Sequence, residues 1–203
     1  MLLIESPSVA LNDVRGSTQY QLDVNKLVSP NETIRQLVDW VLPIAHKNLR
    51  NKYHGIANLV LAGHGGPGVF QLGTGLDTSS MGPFGDLCGK VRKIWFKGCL
   101  VGRIMADVTP EHGDAEILEK YGFTSGDGHA FLTDFARLTM AYVIAPTEIQ
   151  TSPGGMCPRG QLYPYQGLLL CYDPDGNVSW QHRSPSVYDH NVAQRTARNP
   201  NRY

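Results

Sequence analysis

Three short and largely apolar runs, at residues 57–62, 91–96 and 142–145, constrain this chain more than any other feature. A run too short for a helix and apolar on both alternating sets has to be covered on both faces. That is the position of an inner strand in a parallel sheet. Between these runs the apolar spacing changes to that of helices. Ile34, Leu37, Val38, Val41 and Leu42 fall on one helical face, and Phe131, Leu132, Phe135 and Leu138 on another. Ser29-Pro30-Asn31-Glu32 has the form of a capping box that starts the first helix, and Pro43 is expected to end or kink it. Thr109-Pro110-Glu111 opens a further short helix that closes near Tyr121-Gly122. Strands alternating with helices predict an α/β fold, a three-layer sandwich around a mostly parallel central sheet.

The remaining elements are simpler. Residues 167–172 read as a strand, Asp173-Pro174-Asp175-Gly176 as a turn and residues 178–181 as the partner strand, giving a C-terminal β-hairpin. The first thirty residues show one strand, at 20–24, and residues 154–160 form a Gly/Pro loop. The expectation is one domain over residues 1–182 followed by a flexible polar tail, 183–203.

Composition narrows the function classes. Lys plus Arg and Asp plus Glu both number 18, and this zero formal charge argues against nucleic-acid and anionic-membrane partners. No apolar run reaches the ~20 residues that span a bilayer. The start of the chain shows neither a basic n-region nor an apolar h-region, so the expected location is cytoplasmic, or outside the cell by a route without a signal peptide. Cys88, Cys99, Cys157 and Cys171 lie far apart with no C-x-x-C pair, which predicts free thiols and no structural metal; no cofactor is expected either.

Chemistry concentrates at two strand ends. Ala62-Gly63-His64-Gly65-Gly66 follows the first apolar run, and Phe96-Lys97-Gly98-Cys99 closes the second. Ligands of open α/β sheets bind at the carboxyl ends of the strands. If the two strands are neighbours, a thiol and an imidazole emerge at one edge. A free thiol has a pKa of about 8.5 and is mostly protonated at neutral pH, so a nucleophilic cysteine needs such a base. Backbone N–H groups freed by the glycines would serve as an oxyanion hole.

Strand-His-Gly followed by strand-Gly-Cys resembles the caspase-haemoglobinase fold of cysteine peptidases. That group (clan CD) includes caspases, gingipains, clostripain-like enzymes, toxin autoprocessing domains and CHAT domains. The resemblance spans about residues 56–150 and implies a His64–Cys99 catalytic dyad, with Gly65 and Cys99 as backbone oxyanion donors. It also implies a peptide or protein substrate, cleaved through a thioester. The caspase signature Gln-Ala-Cys-x-Gly is absent, and Lys97-Gly98-Cys99-Leu100-Val101 is nearer the toxin, gingipain and CHAT style. Self-cleavage, in the 154–160 loop or the tail, is open on this reading. So are two alternatives: an inactive peptide-binding module of the same fold, and a thiol-dependent acyl transferase or amidase.

Other residues carry less. His129 and Asp127 are candidate substrate-pocket residues, with helix capping as the plainer role for Asp127. Tyr163-Pro164-Tyr165 reads either as a groove wall or as a rigid loop on the sheet. His64-Gly65-Gly66-Pro67-Gly68 also matches the oxyanion loop of proline iminopeptidases, but no nucleophile elbow follows. Gly63-x-Gly65-x-x-Gly68 matches a dinucleotide fingerprint in letters only, because Val69-Phe70-Gln71 reads as a strand and not as a helix.

Overall fold

A computed structural model describes residues 1–105 and 125–186. Seven strands form one sheet: β1 (Ser8–Asp13), β2 (Val24–Val28), β3 (Ile56–Ala62), β4 (Val91–Lys97), β5 (Tyr142–Pro146), β6 (Gly167–Tyr172) and β7 (Val178–Ser184). Their order is β7-β6-β5-β4-β3-β1-β2. All contacts from β2 to β5 are parallel, and β6 alone opposes both of its neighbours. The fold is therefore mixed α/β with a large, mostly parallel sheet. The chain steps outward from β1 to β2 and then returns past β1 to β3. This places a topological switch point between β1 and β3, where such sheets bind ligands.

Helix α1 spans Ile34–Lys47 and α2 spans Gly128–Thr139. Both pack on the same face of the sheet. Leu37, Val38 and Val41 of α1 join Leu59 and Leu61 of β3, while Phe131 and Phe135 of α2 meet Phe96 of β4. Gly82–Leu87, a short 3₁₀ helix, adds Phe84 to this cluster. Among the described residues, the opposite face of the sheet is covered by irregular chain and two-residue strands. There Tyr20, Leu22, Cys157 and Leu162 lie over Ala10, Val60 and Ala62, and Tyr165 and Leu169 lie over Ile144. The short helix expected at 109–122 lies outside the described residues.

Several local expectations need correction. The capping box is built one turn later than expected. Thr33 Oγ1 accepts from the Gln36 N–H, and the Thr33 N–H donates to Gln36 Oε1 at 2.9 Å. Ser29 and Glu32 form the turn before it, with the Ser29 N–H donating to Glu32 Oε2 at 2.7 Å. Pro43 does not end α1, which continues to Lys47. Pro43 and Asp39, whose carbonyl would have taken the missing N–H, are both exposed, so water can satisfy that carbonyl. Ala45, one residue after Ile44, is fully buried and extends the apolar face.

The strand expected at 20–24 is not formed; the N-terminal segment instead holds two main-sheet strands, β1 before that stretch and β2 starting at Val24. Within 154–160, Gly155–Met156 pairs in parallel with Thr18–Gln19. Strand β7 runs to Ser184, into the segment read as tail, and pairs along its whole length with β6. No helix among the described residues is long and apolar enough to cross a membrane.

Candidate active site

Strands β3 and β4 are adjacent and parallel, with Ala62 opposite Lys97. His64 and Cys99 therefore leave the sheet at the same edge, two residues beyond that pair. Glycine makes the approach of these two loops feasible. A Cβ on Gly65 would collide with the Cys99 carbonyl oxygen and lie 2.7 Å from Val101 Cγ2. A Cβ on Gly98 would lie 2.6 Å from the Phe70 ring and 3.2 Å from the Gly65 nitrogen. The two loops thus pack backbone against backbone. Leu100, immediately after the thiol, holds φ at 61°, a left-handed value that a branched side chain rarely adopts.

Both side chains line one cavity of about 680 Å³ at the carboxyl ends of β1, β3 and β4. They do not hydrogen-bond to each other. His64 Nε2 is 3.0 Å from the Arg15 carbonyl oxygen, which can only accept, so Nε2 carries the proton and Nδ1 is left to exchange one. The Cys99 thiol sits against Gln150. Its S–H donates to the Gln150 carbonyl at 3.6 Å, and the Gln150 N–H donates to the sulfur at 3.4 Å. Burial pushes the thiol pKa up, while the Gln150 N–H and the nearby Lys97 ammonium pull the other way without reversing it. At rest the Cys99 sulfur is a protonated thiol. Its own backbone N–H has no acceptor among the described residues.

The β1 end is held by a network the sequence did not reveal. Asp13, buried, accepts from the Arg15 N–H at 3.0 Å, from Arg15 Nε at 2.7 Å and from the Gly73 N–H at 2.9 Å. Arg15 Nη2 also donates to the Gly73 carbonyl at 2.6 Å. Burial disfavours the Asp13 carboxylate, but these hydrogen bonds outweigh it and hold its pKa below the usual range. The pair fixes the turn whose Arg15 carbonyl orients His64. Asp-x-Arg after a strand was the available signal, but strand β1 itself was not legible.

Lys97 is the other missed residue. Its Nζ donates to the Tyr163 carbonyl at 2.9 Å and lies 3.6 Å from the Tyr165 ring centroid and 5.7 Å from that of Tyr20. Burial lowers its pKa to about 7. Tyr163 and Pro164 line the cavity, so that stretch is a groove wall, while Tyr165 is buried beneath with its hydroxyl donating to the Phe96 carbonyl.

Asp127 and His129 do not reach this cavity. The Asp127 carboxylate caps α2 by accepting from the Ala130 N–H at 2.9 Å. His129 Nδ1 is 2.9 Å from the Tyr172 hydroxyl, on the flank of the sheet. All four cysteines are free; Cys157 and Cys171 are buried and Cys88 is exposed. Among the described residues, no three His, Cys, Asp or Glu side chains cluster as a metal site would require. Compared with protein-family models, curated proteins and solved structures, the chain matches none.

Proposed function

We propose that this protein is a cysteine endopeptidase of caspase-like fold whose dyad is Cys99 and His64. One observation carries the reading: adjacent parallel strands deliver an imidazole and a thiol into one cavity through glycine loops that no other residue would allow to approach so closely. Cys99 Sγ attacks the scissile carbonyl carbon and its proton passes to His64 Nδ1. The oxyanion is held by the N–H groups of Gly65 and Cys99. Collapse breaks the C–N bond, and His64 Nδ1 returns the proton to the leaving amine, leaving a thioester. Water then attacks the thioester, giving its proton through His64 to the departing sulfur, and the acid is released.

The protonated resting thiol fits a sequence in which proton transfer accompanies attack rather than precedes it. A second reading, a cleft that holds a peptide uncut, is favoured by the thiol's bonding to Gln150 in place of His64. Substitution Cys99→Ala separates the two. Hydrolysis of a casein or mixed-peptide substrate should fall by at least about 10³-fold, with the melting temperature nearly unchanged. Cleavage that survives the substitution removes Cys99 from the mechanism, and peptide binding without any cleavage by the unaltered protein favours the second reading.

A further inference from the structure

Lys97 stands in surroundings that suit a neutral amine better than an ammonium. No Asp or Glu lines the cavity that holds it, and among the described residues it has no ion-pair partner. Its Nζ meets the Tyr163 carbonyl at 2.9 Å, the ring of Tyr165 at 3.6 Å from the centroid and that of Tyr20 at 5.7 Å. A neutral amine still donates to that carbonyl, sheds the desolvation cost of the charge and keeps a lone pair. Burial holds its pKa down at about 7, so near neutral pH much of it is a free nucleophile. Tyr20 supplies a second group. It lines the same cavity and is 3% exposed, yet its hydroxyl hydrogen-bonds to nothing among the described residues. Burial raises the pKa of that phenol, so it stays protonated.

We propose that Lys97 is a carbonyl-capture site: its amine forms an imine with an uncharged aldehyde that enters the cavity, and the Tyr20 hydroxyl donates the proton that lets water leave. Nζ attacks the carbonyl carbon, the C–N bond forms, and the carbonyl oxygen takes up one amine proton. Tyr20 then protonates the new hydroxyl, the C–O bond breaks and water departs. The second amine proton passes to the phenolate oxygen and restores Tyr20. Amine and aldehyde give imine and water, and nothing is oxidised or reduced. The neutral imine also removes the charge that burial disfavours. Ile149, Tyr163 and Pro164 give the cavity apolar walls on which an aryl group can rest. This inference needs neither Cys99 nor the peptidase reading.

The probe is benzaldehyde with sodium cyanoborohydride, whose hydride fixes the protonated imine as a stable secondary amine that peptide mass spectrometry places on a residue. A hemithioacetal at Cys99 is not reduced and reverts, so the label reports amines alone. At about pH 7.5 Lys97 should be labelled at least about tenfold faster than any other lysine, since an ordinary lysine, with a pKa of about 10.4, is almost wholly protonated there. The Lys97 rate should saturate with benzaldehyde and level off above about pH 8, while the other lysines keep gaining with pH. Tyr20→Phe, which removes a hydroxyl without a partner, should slow Lys97 labelling by about tenfold or more at an unchanged melting temperature.

Lys97→Arg keeps a cation, cannot form an imine and should lose the saturable label while its far-ultraviolet circular dichroism is unchanged. Label spread over the lysines by exposure, a Lys97 rate that rises linearly with benzaldehyde, or full speed in Tyr20→Phe would each overturn the proposal. The readout is mass and not turnover, which keeps the two readings apart. A saturably labelled Lys97 in a protein that cleaves no peptide would support the capture site although the peptidase reading had failed. An unlabelled Lys97 in a protein that does cleave peptides would overturn the capture site alone.

Discussion

The two faces of the sheet are covered in different ways. On one, α1, α2 and the 3₁₀ helix seal an apolar layer in which Phe84, Phe96, Phe131 and Phe135 meet ring to ring at 4.9–5.9 Å. On the other, polar side chains of the strands and loops each find a specific partner. Trp95 Nε1 donates to Asn58 Oδ1 at 2.8 Å, Tyr165 to the Phe96 carbonyl at 3.0 Å and Lys97 to the Tyr163 carbonyl at 2.9 Å. Helices close a face by satisfying their own backbone, so apolar side chains suffice there. Irregular chain leaves carbonyls and N–H groups free to recognise side chains, and a cavity can form between its loops. The first face supplies stability and the second supplies a site.

Substitutions on each face should therefore fail differently. The largest stability effect is expected for Phe135→Ala, which removes a fully buried ring from the aromatic layer; a loss of about 3–5 kcal/mol by urea unfolding is predicted, with the activity per folded molecule retained. A small stability change there would mean that the helical face is not the principal core. Gly65→Ala should do the reverse. The added methyl collides with the Cys99 backbone, so the loops must separate and kcat should fall by about 100-fold or more, against a modest drop in melting temperature. Normal turnover in that variant would show that the close approach is not required.

Asp13→Asn is expected to cost about 1–3 kcal/mol at neutral pH, because it leaves Arg15 without its carboxylate. The folded-state pKa of Asp13 is depressed, so its contribution is fully present above the unfolded value of 3.8 and is lost as pH falls through the lower folded value. The stability difference between the two proteins should be level above about pH 5 and close below pH 4. A difference that does not vary with acid would detach the effect from the carboxylate. The smallest effect concerns reactivity in the free protein. Iodoacetamide should modify exposed Cys88 ahead of Cys99, and the Cys99 profile should rise only at alkaline pH, because burial has raised that thiol. Rapid labelling of Cys99 near pH 6 would instead indicate a thiolate formed in advance by His64.

Strands β3 to β6 and both helical faces were legible because each carries its pattern locally, in apolar runs bounded by turns or in 3.6-residue spacing. Strand β1 was not, although it is buried along its length. Ser8, Asn12 and Asp13 interrupt its apolar pattern, and their partners Asp23, Tyr20 and Gly73 appear only when the chain has folded back. The rule that proline stops helices likewise gave way at Pro43 because it met an exposed face.

The sequence by itself determined that a histidine and a cysteine, each beside glycine, would stand at the ends of two inner strands, since that depends on local pattern and short spacing. Only the tertiary structure decided that the strands are neighbours, that the Arg15 carbonyl sets the imidazole, and that Lys97 is enclosed against the Tyr163 carbonyl. Those facts depend on which segments meet across 49 and 66 residues of chain, in the His64–Arg15 and Lys97–Tyr163 contacts, and no local periodicity encodes such meetings.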